Sequence, residues 1–311
     1  MTKAFVFPGQ GSQSVGMGQN LAETYPEAKA VFDQVDAALG QNLSDIMWNG
    51  PQETLTLTEN AQPALMAVSM AVMRVLEARG LQLEQAASYV AGHSLGEYAA
   101  LTAAGALQLD DASRLLKLRG QAMQRAVPVG VGAMAALLGL DFSAVVEIAE
   151  AAASETEICA AANDNANGQV VISGHAEAVA RAIDLAKQGG AKRAMTLPVS
   201  APFHCALMQP AADEMAAALA ETPIAAPCVP LIANVTAEAT QDPELIRKLL
   251  IEQVTGSVRW RESMIWAAEQ GVRELVEIGT GKVLTGMARR IDERLSARAL
   301  NGPDDIQDFN T

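Results

Sequence analysis

Between the apolar run Ala86-Ala87-Ser88-Tyr89-Val90-Ala91 and the alanine-rich segment Tyr98 to Leu107, the chain reads Gly92-His93-Ser94-Leu95-Gly96-Glu97. Few folds accommodate this. The pattern predicts a strand, a sharp turn and a helix, with small residues on both sides of a serine so that the backbone can reverse and lift the hydroxyl above the strand's end. Unpaired N–H groups at the first helical turn are then placed to stabilise an oxyanion. The same letters also fit a Ser-x-x-Glu capping box, in which Ser94 merely caps the helix with Glu97 as its partner.

With 311 residues, half of them hydrophobic, the chain can bury a sizeable core as one large domain or a domain with an insert. Its start lacks the basic and then apolar pattern of a secretory signal, and no stretch reaches about eighteen uninterrupted apolar residues. A cytoplasmic location is expected. Cys159, Cys205 and Cys228 show no metal-like spacing and read as free thiols. The net charge of −14 argues against nucleic acid and anionic membranes as partners, since both demand a basic surface.

In chain order, Lys3 to Phe7 reads as a strand entering the glycine-rich loop Pro8-Gly9-Gln10-Gly11-Ser12-Gln13. The loop matches neither the Walker pattern nor the dinucleotide fingerprint. Its alternative use is to bring the Gln10 N–H to a reacting centre. A helix follows over 27–39, and residues 58–63 read as caps ahead of an amphipathic run with Leu65, Val68, Val72 and Leu76 on one stripe. Met66, Met70 and Met73 beside it read as core filler. Asp110 is expected to cap a further helix carrying Arg119, next to Gly120 where something can approach closely.

The rhythm then changes to βαββαβ, with strands near 132–138, 157–162, 169–174 and 191–197 and helices near 142–153 and 176–188. That order predicts a ferredoxin-like subdomain over 129–198, inserted between residues 1–128 and 199–311 of a large α/β domain. Its polar turn, Asn163 to Gly168, serves either as a plain hairpin or as a wall of the cleft. His204 stands on the proline-led turn Ser200-Ala201-Pro202-Phe203-His204, ahead of a helix over 206–220. A serine nucleophile needs such a base. Strand 229–234, helices 243–254 and 260–270, strand 273–278 and helix 283–290 complete the large domain, and the tail 301–311 is expected to be polar and mobile.

The segments Phe5 to Gln13, Gly92 to Glu97, Gln169 to Gly174, Pro202 to His204 and Gly279 to Leu284 occur in an order that resembles the malonyl-CoA:acyl carrier protein transacylases of dissociated fatty acid synthesis. The resemblance covers nearly the whole chain. It implies an α/β-hydrolase-like large domain with a parallel sheet, Ser94 as nucleophile, His204 as base and the Gln253 backbone carbonyl as the group orienting the histidine. It further implies an oxyanion hole from the Gln10 and Leu95 N–H groups, Arg119 gripping the malonyl carboxylate, and Gln62 and Asn165 lining the cleft. Around Asn165 the chain departs from the family's commoner Asn-Ser-Pro-Gly-Gln, and Phe203 resembles the residue of malonyl-selective members.

On that resemblance the partners are malonyl-CoA, as substrate, and holo acyl carrier protein; no cofactor is implied and a monomer is expected. An acidic carrier needs a local basic patch on this acidic chain, for which Lys192, Arg193, Lys282, Arg289 and Arg290 are the candidates. Malonyl transfer toward polyketides, a serine esterase or thioesterase sharing the elbow, and a non-catalytic docking module stand as alternatives.

Overall fold

A computed structural model describes residues 2–199 and 201–309. Its strands, in chain order, are β1 (Lys3–Phe7), β2 (Tyr89–Gly92), β3 (Gly132–Leu138), β4 (Cys159–Ala166), β5 (Gln169–His175), β6 (Arg193–Thr196), β7 (Leu231–Ile232), β8 (Ala239–Thr240), β9 (Glu274–Ile278) and β10 (Ser296–Leu300). They form two sheets. Six strands lie in the order β10-β9-β1-β2-β7-β8, all neighbours parallel except β7 and β8. The other four lie in the order β4-β5-β3-β6, all antiparallel.

The central strands of the larger sheet are apolar on both faces, as parallel strands covered by helices must be. Phe5, Phe7, Val90, Val276 and Ile278 face one core, shared with the helices Pro26–Leu39, Thr58–Ala78 and Leu109–Ala126. Ala4, Val6, Ala91 and Leu275 face a second core with the helices Trp260–Glu269 and Val283–Ile291. In the smaller sheet, alternation divides the strands between two destinations. Ala135, Leu137, Val170 and Ile172 pack on the helices Phe142–Ala152 and Ala176–Gln188, whereas Met134, Ala162 and Val171 on the opposite face join the first core of the large sheet.

The register places the site. Phe7 at the end of β1 pairs with Gly92 at the end of β2, so the loops bearing Gln10 and Ser94 leave the C-terminal ends of adjacent parallel strands. Crevices beyond those ends are where open α/β sheets bind ligands.

Several local expectations are corrected. Residues 58–63 form the first turns of the helix Thr58–Ala78, with Pro63 inside it. The helix Leu109–Ala126 has Gln108 at its N-cap, and Asp110 instead accepts a hydrogen bond from Gln34 Nε2 at 2.6 Å. Residues 206–208 make a 3₁₀ turn, and the α-helix begins at Gln209, where Pro210 suits the first turn. The C-terminal segment is ordered: β10 extends the sheet, Pro303–Gln307 is helical, and Phe309 stacks edge-on against Phe5 with ring centroids 6.3 Å apart. Asn310 and Thr311, like Met1 and Ser200, lie outside the described residues. Among the described residues no helix is long and apolar enough to cross a membrane.

Candidate active site

Both glycines of the elbow are sterically required. A Cβ on Gly92 would stand 1.9 Å from the Gly96 carbonyl, and one on Gly96 would stand 2.3 Å from the Phe7 oxygen. Between them Ser94 adopts φ 52°, in the left-handed region that non-glycine residues seldom occupy. Buried Asn234 braces the turn: its Oδ1 accepts the Ser94 N–H at 2.8 Å and its Nδ2 donates to the Gly92 carbonyl at 2.7 Å.

Ser94 is not a helix cap. The following helix, Gly96–Ala103, is capped by Leu95 without a side-chain bond. The Ser94 hydroxyl lies 2.7 Å from His204 Nε2. Glu97 turns inward as well; its Oε2 accepts from Gln253 Nε2 at 2.6 Å and from the Asn234 N–H at 3.3 Å.

His204 also holds a left-handed backbone, φ 59°, and is buried. Its Nδ1 faces two backbone carbonyls, Gln253 O at 2.9 Å and Gly256 O at 3.1 Å. Carbonyls only accept, so Nδ1 carries the proton and Nε2 offers its lone pair to Ser94. Burial, reinforced by the Arg119 charge, brings the imidazole down to about 3, so it is neutral at pH 7 with the Nε2 lone pair free to accept a proton.

Arg119 is 1% exposed. Its Nη1 donates to Gln62 Oε1 at 2.8 Å, and its Nη2 to Gln253 Oε1 at 2.9 Å and to Ser94 Oγ at 3.2 Å. Its Nε has no partner among the described residues. Burial lowers the guanidinium's pKa, but arginine stays charged. The same burial raises Glu97 to about 7, so that carboxylate only partly offsets the cation. Gly120 explains how Gln62 reaches Arg119: a Cβ there would stand 2.5 Å from Glu59 Cα, and its absence lets the start of the helix Thr58–Ala78 close in.

These groups open onto a cavity of about 400 Å³, walled by Gln10, Leu95 and Met123 on the large-sheet side and by Met134, Asn163 and Leu197 on the other. Neither the Gln10 nor the Leu95 N–H makes a hydrogen bond among the described residues. Asn165 is not among the lining residues; bulges in β4 turn its Oδ1 onto His93 Nε2 at 2.8 Å, and Asn163 fronts the cavity in its place. Ser94, His204, Arg119, Gln62 and Gln253 therefore converge, while Asn165 supports His93. No group of three or more His, Cys, Asp or Glu side chains suited to a metal occurs among the described residues.

The profile of the acyl transferase domain matches residues 4–296. The chain belongs to the acyl transferase family. It is 48% identical over 300 residues to the malonyl CoA-acyl carrier protein transacylase of Escherichia coli K12, covering 96% of each chain. The acyl-carrier-protein S-malonyltransferase structure from Bartonella henselae is 57% identical, with a TM-score of 0.96 over 99% of this chain and 98% of that one. A malonyl-transacylase solved in complex with its type II PKS acyl-carrier protein is 44% identical, with a TM-score of 0.95 over 99% and 98%.

Sequence reasoning missed two residues of this acyltransferase's site. The sequence offers Glu97 only as a capping partner, because its burial depends on elements more than a hundred residues away. Asn234 follows the apolar Leu231-Ile232-Ala233, and a polar side chain just beyond a parallel strand is the signal that would have flagged it.

Proposed function

We propose that this acyltransferase moves a malonyl group from malonyl-CoA to the phosphopantetheine thiol of holo acyl carrier protein through a malonyl-Ser94 intermediate, supplying fatty acid synthesis. The observation that carries the reading is the buried Arg119 guanidinium, whose hydrogen bonds go to the uncharged side chains of Gln62, Gln253 and Ser94, with one arm 3.2 Å from the nucleophile. A buried cation that no carboxylate touches is costly, and a carboxylate on the acyl group relieves that cost with charge-assisted hydrogen bonds.

In the first half-reaction His204 Nε2 takes the Ser94 proton as Oγ bonds to the thioester carbonyl. The oxygen becomes an oxyanion, with the Gln10 and Leu95 N–H groups as its donors. The C–S bond breaks, and the coenzyme A sulfur leaves with the proton from His204. In the second half the carrier thiol passes its proton to His204 and attacks the acyl-serine; the C–O bond breaks and Ser94 recovers its proton. The exchange balances without a redox step or a cofactor, and its kinetics are ping-pong.

An esterase places a carboxylate on its histidine's second nitrogen. Here that position belongs to the carbonyls of Gln253 and Gly256, which favours transfer over the hydrolase reading. Gln62 holds Arg119 in this scheme, and Asn165 acts through His93. We also read residues 129–198 as a ferredoxin-like lobe within an α/β-hydrolase-like domain formed by 1–128 and 199–311, on the strand order of the two sheets. The free Cys159, Cys205 and Cys228 fit a reducing cytoplasm.

For docking an acidic carrier, two of the candidate positions, Lys192 and Arg290, are linked through the turn that carries Asn167 and Gly168. Lys192 packs beside Gly139, Gly139 lies against Gly168, and Asn167 Nδ2 donates to the Arg290 carbonyl at 2.8 Å. Brief incubation with malonyl-CoA followed by mass spectrometry should show a malonyl adduct on the Ser94 peptide that holo carrier protein discharges. No adduct refutes the covalent reading. Rapid release of free malonate without carrier-dependent transfer supports the esterase instead. Comparing fatty acid and polyketide carriers as acceptors separates the two supply roles, and gel filtration tests the monomer.

A further inference from the structure

Glu97 is a buried carboxylate that the transfer chemistry leaves unused. It touches neither the cavity nor His204. Its partner is the Gln253 side chain, whose backbone carbonyl is the part already assigned a task. We infer that Glu97 is a positioning residue that sets the charge preference of the acyl pocket, by fixing which end of the Gln253 amide faces Arg119. The inference rests on the malonyl-transfer reading above.

The geometry is directional. Gln253 Nε2 faces only acceptors: Glu97 Oε2 at 2.6 Å, the Ser94 carbonyl at 3.0 Å and Asn234 Oδ1 at 3.3 Å. Gln253 Oε1 faces only a donor, Arg119 Nη2 at 2.9 Å. Two amide protons serve three acceptors, and the shortest contact is with the carboxylate. Asn234 Oδ1 is already engaged by the Ser94 N–H. Glu97 is thus the strongest single reason for the amide to keep its oxygen toward the guanidinium.

A flipped amide would set NH₂ against N–H, donor to donor, and would release the Arg119 arm that lies beside Ser94 Oγ. A malonyl carboxylate would then meet a displaced cation. An acetyl group, having no carboxylate, would notice little. Glu97 consequently affects recognition of one substrate class more than the chemical step itself.

Glu97→Met keeps the length and removes the acceptor; Glu97→Gln removes the charge but keeps a carbonyl that can accept from Gln253. With malonyl-CoA and acetyl-CoA as donors, Glu97→Met should lower the malonyl-to-acetyl ratio of kcat/KM by about tenfold, the scale of one hydrogen bond to a charged group, chiefly through KM for malonyl-CoA. Glu97→Gln should restore most of that ratio. Should Glu97→Met not fold, Gln253→Leu carries the test, because it removes the amide and leaves the backbone carbonyl on His204. It must lower the same ratio, and adding Glu97→Gln to it must change nothing further. Equal loss on both donors, or an unchanged ratio, overturns the role of Glu97. A wild-type protein that forms no malonyl-Ser94 adduct overturns the underlying reading instead, so the two failures are told apart.

Discussion

The two walls of the cavity are built on opposite principles. On the large-sheet side, the half-buried Ser94 joins buried His204, Arg119, Gln253, Glu97 and Asn234 in one polar network, two of whose residues hold left-handed backbones. Across from it lie the buried Met134 and the more exposed Leu197, Pro198 and Val199, a mostly apolar surface. The difference teaches where geometry matters. Directional bonds must be met at one arrangement, and a network in low dielectric loses heavily from any single gap. Dispersion contacts tolerate small shifts, so the opposite wall can be reshaped without disturbing the chemistry.

The sharpest test of that contrast lies at Ser94, the proposed nucleophile. Ser94→Ala should reduce carrier acylation by roughly 10⁴-fold or more and abolish the adduct, since members of such a unit act together. Residual transfer near the wild-type rate, followed with radiolabelled malonyl-CoA, would remove the large-sheet wall from the reaction.

The apolar wall is not free to drift. Val258 N–H donates to Ala162 O at 2.8 Å and Asp164 N–H to Val258 O at 2.9 Å, which stitches β4 to the segment carrying Gly256. The fully buried Asp164 carboxylate meets Arg261 at 2.8 Å. Arg261→Ala would leave a buried carboxylate without its partner, and a loss of about 3 kcal/mol in urea unfolding is expected. A smaller cost, below about 1 kcal/mol, would place that pair with ordinary surface ion pairs.

For Arg119→Ala, malonyl transfer should fall more than acetyl transfer by about 2 to 3 kcal/mol, the scale of a charge-assisted hydrogen bond. Equal losses would refute the carboxylate role. The buried histidine gives a pH signature of known sign. Unfolded, it protonates near 6.5; folded, only near about 3. The unfolded chain therefore binds more protons between those values, so this group's contribution is present above about 6.5 and is lost as pH falls toward about 3. Glu97, raised to about 7, acts in the opposite sense, favouring the fold at lower pH and losing that advantage as pH climbs to about 7. Urea titrations of wild type and His204→Ala across pH 3 to 7 isolate the histidine: the variant should decline less steeply on acidification.

Much of this architecture is legible in the sequence because its elements are locally consistent. The apolar run Lys3–Phe7 and the sequence Gly132–Leu138 form strands over those residues, and the glycines of the elbow disclose its steric demand. Pro63 misleads, since a proline usually announces a helix start, yet this helix begins at Thr58. β10 escapes notice because Ser296-Ala297-Arg298-Ala299-Leu300 has little apolar contrast and gains its place from pairing with β9. In the site, the roles proposed for Ser94, His204 and Arg119 are ones that residue type and motif order suggest. The role of Glu97 is not among them, because it comes from what a fold brings to that residue: Gln253, 156 positions away, and the Asn234 backbone.

The smallest effect expected is on the apolar wall. Leu197 lies against Met134, its N–H bonded to the Met134 carbonyl at 2.8 Å, but its side chain is only partly buried. Leu197→Ala removes methyl groups that water already reaches in part, so the cost should stay near 1 kcal/mol, below the values seen for fully buried leucines. The polar network opposite loses none of its partners. Malonyl transfer and the malonyl-to-acetyl ratio should both stay close to wild type, while a methyl-branched malonyl donor gains from the added room. A clear fall in the ratio would show that the wall helps set the guanidinium's aim, and the division between a rigid polar side and an adaptable apolar side would then fail at the residue where it ought to hold most easily.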